Sequence, residues 1–154
     1  MVRTKKRLLL CCSLLCANLA FIWGNSLLPG NISGAISEWV RNLLAALFPL
    51  GSDNPDSGHG LLRKLAHFTE FACAGMLLGW LFTMLLQRPW QTLVFPFVCG
   101  VLAACVDETI QLFVPDRGPG IKDVGIDTLG VTLGIVIIYF IKIKSSKYLE
   151  EQTL

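Results

Sequence analysis

Three short stretches of the chain carry residues able to do chemistry. Lys64, His67 and Glu70 recur at steps of three, which puts them on one face of a helix; Glu108 and Gln111 repeat that step, and Asp123 and Asp127 stand four apart. Between Asp107 and Asp127 lie five carboxylates, Asp107, Glu108, Asp116, Asp123 and Asp127, with Arg117 and Lys122 as the cations. Asp107 points about a quarter-turn away from Glu108 and is expected to face water. An imidazole among carboxylates suits acid/base work, with His67 and Glu108 sharing a proton. No serine or cysteine nucleophile accompanies them in a motif, so a covalent mechanism lacks support. His67, Glu70, Glu108 and Asp127 could instead hold a divalent metal, as helical bundles do with core carboxylates. That reading is the weaker one, because no second histidine lies nearby and Lys64 and Arg117 compete for the same carboxylates; no cofactor is assigned. A third arrangement is an ion-pair network of Lys64 and Arg117 with Glu70, Glu108, Asp123 and Asp127 that ties helix ends together and catalyses nothing.

The elements that must position these groups are membrane spans. The composition, 53% hydrophobic and 16% charged with a mean hydropathy of +0.60, is more apolar than that of a soluble domain. Long apolar runs without strict alternation predict helices rather than a barrel. Four spans are expected, over about 8–28, 65–86, 92–114 and 124–143, the first retained rather than cleaved because no A-x-A site ends it. Residues 32–50 space Ile32, Ile36, Trp39, Val40, Leu43 and Leu47 as an amphipathic helix lying at the interface. A polar, turn-rich loop is expected over 51–60, with His59 solvated. The fold class is therefore all-α: a polytopic membrane protein in one domain, residues 1–154, with four transmembrane helices and an outer-face amphipathic helix. Gly75 with Gly79, and Gly130 with Gly134, are small-xxx-small pairs that let helix backbones approach. The six cysteines form no CxxC pair and read as small packing residues. A net charge of +2 without a basic, aromatic-interleaved stripe excludes nucleic acid as partner.

Orientation follows from the cations. One side collects Arg3, Lys5, Lys6, Arg7, Arg88, Lys142, Lys144 and Lys147; the other collects Arg41, Arg63, Lys64, Arg117 and Lys122. Eight against five places both termini in the cytoplasm and the polar cluster at the outer face. The start of the second span, the end of the third and the start of the fourth then put their unusual residues at one depth. Charges at bilayer depth are costly, which marks that cluster as a functional site. The inner halves of the last three spans hold hardly any ionisable residue, which argues against a relay across the membrane.

On KLAHFTEFACAGMLLG, Lys64 to Gly79, and DETIQLFVPDRGPGIKDVGIDTLG, Asp107 to Gly130, the chain resembles the VanZ family of small bacterial membrane proteins. The resemblance runs over about 61–140. A Lys-x-x-His element opens one span there, filled by Lys64 and His67. Glu108, Gln111, Arg117, Asp123 and Gly130 fill the series bridging the next two. Three positions depart from the pattern: Asp127 where Asn is frequent, Asp116 where Gly is usual, and Phe71 where Tyr is common. The resemblance implies a bacterial cell-membrane protein associated with low-level resistance to teicoplanin and similar lipid-bearing glycopeptides. It supplies no established reaction. The residues expected to matter are His67, Glu108 and Asp123 for any catalysis, and Lys64, Glu70, Gln111, Arg117 and Asp127 for binding. The expected partners are membrane lipids or a lipid-bearing glycopeptide. The functions left open are a resistance or envelope-binding protein, an enzyme acting on a lipid headgroup, and a structural membrane partner.

Overall fold

The computed structural model of the chain describes residues 2–47, 58–118 and 120–151, with side chains over 4–43, 61–118 and 120–143. Five helices hold most of the described residues: α1 Val2–Ser26, α2 Gly30–Leu47, α3 Gly58–Leu85, α4 Gln91–Leu112 and α5 Ile121–Glu151. Four of them contain stretches long and apolar enough to cross a membrane: Thr4–Ser26, Leu61–Leu85, Gln91–Leu112 and Ile121–Ile143. At about 1.5 Å per residue each spans the roughly 30 Å of a hydrocarbon core. The chain is a multi-pass membrane protein. Leu102, Leu129, Phe140 and Ile141 are among the large apolar side chains left on the outside of the bundle, where lipid replaces water.

Several helices run past the expected spans, because backbone hydrogen bonding continues into polar flanks that hydropathy excludes. The expected loop is the clearest correction: residues 58–60 already belong to α3, since neither Pro nor a branched residue stops the helix before Leu61. The rest of that loop, 51–57, the His59 side chain and the last three residues of the expected amphipathic stretch lie outside the described residues. Pro29 ends the approach from α1, and α2 starts directly at Gly30.

Helices α3 and α5 form the closest pair, and α4 and α1 pack against them. Glycine makes the α3/α5 approach possible. A methyl group at Gly75 would strike the Val131 carbonyl, one at Gly130 the Phe68 carbonyl and one at Gly134 the Ala72 carbonyl. The two expected small-residue pairs thus sit at this contact, with Gly79 at ordinary van der Waals distance from Ile138. Around it Ile22, Phe71, Ala74, Ala103, Ala104, Val131 and Ile135 form the buried core. This tight seam fixes the starts of α3 and α5 side by side, so His67 and Asp127 face each other.

Candidate functional site

Four helix ends meet at one end of the bundle: the C-terminal ends of α1 and α4 and the N-terminal ends of α3 and α5. Asp107 is at the centre of the meeting, fully buried rather than turned to water. The quarter-turn between Asp107 and Glu108 separates two neighbours, not inside from outside: one faces α1, the other the start of α5. Ser26 donates its hydroxyl to Asp107 Oδ1 at 2.6 Å, across from α1. Gln111, one turn on, donates Nε2 to Asp107 Oδ2 at 2.9 Å and to Glu108 Oε1 at 3.3 Å. Arg63 donates to Gln111 Oε1 at 2.7 Å, which fixes the amide with its nitrogen toward the carboxylates. Glu108 accepts from the Gly120 N–H at 3.0 Å, a carboxylate placed against the positive N-terminal end of α5.

Arg117 does not reach the carboxylates. Its Nε donates to the Leu28 carbonyl at 3.0 Å and its Nη2 to the Asn25 carbonyl at 2.6 Å, so it caps the C-terminal end of α1. Burial, then the nearby Arg63, push its pKa below the ordinary arginine value, and an arginine keeps its charge regardless. Lys64 is exposed, at the rim of a small cavity that it lines with His67, Glu108, Asp123 and Asp127. Among the described residues no ion pair joins Lys64 or Arg117 to Glu70, Glu108, Asp123 or Asp127, so the expected ion-pair network is replaced by hydrogen bonds. Asp123 stands in the first turn of α5, where a negative charge is favourable.

Two spaces open from this cluster. The small cavity holds about 20 Å³, enough for one water or one ion. The larger is a groove of about 380 Å³ between α1, α2 and α3. Phe21, Leu28 and Ile36 give it apolar walls, and His67, Glu70 and Arg117 line it as well. Glu70 Oε1 accepts from Asn25 Nδ2 at 3.2 Å, but among the described residues its Oε2 has no partner, nor has Arg117 Nη1. His67 lines both spaces. His67 Nδ1 lies 3.7 Å from Asp107 Oδ2 and 4.0 Å from Asp127 Oδ1, beyond hydrogen-bond length. These three residues, rather than the set His67, Glu70, Glu108 and Asp127, offer donor atoms close enough together to hold a metal.

Of the residues expected from sequence, His67, Glu108, Gln111 and Asp127 converge, with Asp123 and Lys64 beside them and Glu70 and Arg117 on the groove. Asn25, Ser26, Arg63 and the inward-facing Asp107 were not expected. The signal for the first two is faint: one Asn-Ser pair at the end of an apolar run. The turn after α4, residues 113–118, holds these pieces in place. Gly30 donates its N–H to the Pro115 carbonyl at 3.0 Å, and a methyl at Gly30 would strike the Asp116 carbonyl. Asp116 itself has φ 57°, the left-handed conformation that suits glycine best.

One family description matches the chain: VanZ/LLP1, over residues 8–142. No curated protein and no solved structure matches.

Proposed function

Because the chain belongs to the VanZ/LLP1 family, we propose that it binds the polar headgroup of an amphiphile at the outer face of a bacterial cell membrane. By that binding it lowers sensitivity to teicoplanin-like, lipid-bearing glycopeptides. The observation that carries the reading is the groove. It joins apolar walls to Arg117 and Glu70, each of which keeps one buried polar atom without a partner among the described residues, Nη1 and Oε2. A ligand with an acyl tail and a headgroup bearing an acceptor and a donor satisfies all three features once the two side chains turn those atoms into the groove. Helix α2 supports access from the bilayer: Ile32, Ile36, Trp39 and Leu43 form an exposed apolar row along it, as an interfacial helix requires. The positive-inside balance of eight cations against five supports the outer-face placement.

An enzyme acting on the same headgroup is the second reading, favoured by the unpartnered His67 Nδ1 at the junction of groove and cavity. A susceptible Gram-positive host expressing wild type, Glu70→Gln or His67→Ala at equal membrane abundance tests the proposal against teicoplanin and vancomycin. Protection by wild type against teicoplanin alone, lost in Glu70→Gln, is the expected result. Equal protection by wild type and Glu70→Gln would sink the groove as the binding site. Turnover of phospholipid by purified wild type and not by His67→Ala would favour the enzyme.

A further inference from the structure

Three helices each bring one donor to a common point, and nothing among the described residues completes it. Asp127 is 1% exposed, yet both of its carboxylate oxygens lack a hydrogen-bond donor, and the His67 Nδ1 facing it lacks a partner as well. A buried carboxylate with neither donor nor cation is costly, so the arrangement calls for something between these groups. Their spacing says what. Separations of 3.7 Å to Asp107 Oδ2 and 4.0 Å to Asp127 Oδ1 are too long for hydrogen bonds. They lie just above the roughly 3.4 Å edge that bonds of about 2.1 Å give a tetrahedron.

We propose that His67, Asp107 and Asp127 bind one divalent cation of the zinc or manganese class, with the small cavity beside His67 and Asp127 supplying an open position for water. One donor atom from each residue lies within 4.8 Å of the other two. One imidazole and two carboxylates suit borderline divalent ions, and two carboxylates neutralise the charge of such an ion in a buried setting. Asp107 already has the outer support that metal-binding carboxylates show. The Ser26 hydroxyl holds Oδ1 at 2.6 Å and the Gln111 amide holds Oδ2 at 2.9 Å, and Gln111 is in turn fixed by Arg63. That chain of bonds aims the carboxylate at His67 without using all its lone pairs. The site has three protein ligands and one free position, the pattern of centres that present a bound water rather than of closed structural ones. It stands on its own geometry and not on headgroup binding, since neither Arg117 nor Glu70 is a ligand.

The test uses the full chain in detergent, without a histidine tag and without added lipid, stripped with chelator and desalted. Zn2+ or Mn2+ is then added and bound metal per chain is counted after desalting. Wild type is expected to retain one equivalent. A hundredfold excess of metal over its dissociation constant should raise the unfolding temperature by about 5–10 °C. Asp127→Asn and His67→Gln, which keep side-chain size, should lose both effects, and Ser26→Ala should weaken affinity by about 10–100-fold. Glu38→Gln, on the exposed face of α2, should match wild type. Wild type that retains no metal overturns the proposal, as does equal retention by Asp127→Asn, which would place the metal on other residues. Headgroup binding is read separately, on the stripped protein, so the two can fail independently.

Discussion

Ser26→Ala removes the single hydroxyl that α1 lends to the buried network. Ser26 and Asp107 are both fully buried, and the 2.6 Å between them is the length of hydroxyl bonds to carboxylates. Among the described residues Ser26 is the one donor to Asp107 Oδ1. Hydrogen bonds to charged groups contribute about 1.5–3 kcal/mol in soluble proteins. Interhelical ones in membranes average about 0.6 kcal/mol and reach about 1.7 kcal/mol. The upper membrane value applies here, because no water reaches either partner to take over the lost bond. Ser26→Ala should therefore cost about 1.5 kcal/mol, a fall of about 3–6 °C in the unfolding temperature of chelator-treated protein in detergent. Hydroxyl loss also removes packing, so the cleaner quantity is the coupling in a cycle of Ser26→Ala with Asp107→Ala, which leaves no acceptor, expected at about 1–1.5 kcal/mol. A coupling below about 0.5 kcal/mol, the scatter of independent sites, would refute the claim that α1 is bound to the site through this contact.

Gly134→Ala places a methyl group against the Ala72 backbone, which no rotamer change relieves, so a loss near the top of the 1–3 kcal/mol range for overpacking is expected in thermal unfolding. Gly125→Ala on the same helix meets nothing within 4 Å and should be neutral or stabilising by up to about 1 kcal/mol. Asp116→Gly relieves a left-handed strain of roughly 1–2 kcal/mol at the expense of about 1 kcal/mol of chain entropy, a small net gain measurable by the same assay. Arg117→Lys keeps the charge but cannot span the Asn25 and Leu28 carbonyls with a planar fork. It should lower stability by about 1–2 kcal/mol and raise protease cleavage after Ser26.

The spans were legible because lipid demands uninterrupted apolar length, a signal that survives in sequence without any partner. The convergence of His67, Glu108, Gln111 and Asp127 was legible for a related reason: charge at depth is costly, so its position along each span reports where the site lies. Facing was harder. A helical step of 100° puts Asp107 and Glu108 on adjacent faces, and whether one of them meets water depends on what packs beside α4. The chain has α1 there, with Ser26 and the Trp23 indole, which donates to the Ala103 carbonyl. Nothing in the Asp107 neighbourhood names that partner. The choice between Arg63 and Lys64 is of the same kind. Both are basic and adjacent, but 63, 67 and 70 share a face as well as 64, 67 and 70 do, and the α3/α5 glycine seam rotates Arg63 inward and Lys64 out.

The link between Ser26 and Asp107 joins residues 81 positions apart in the chain. At about 5–20 residues per second of synthesis, α1 is made some 4–16 s before its acceptor. Over that interval Asn25 and Ser26 wait for their partners; Asp107 meets Ser26 and Gln111 as α4 is added, and Glu108 waits for the Gly120 N–H at the start of α5. The site is therefore closed last, when α5 delivers the Gly120 N–H to Glu108. A chain that stops before α5 can form the Ser26–Asp107 bond but leaves Glu108 without that backbone donor.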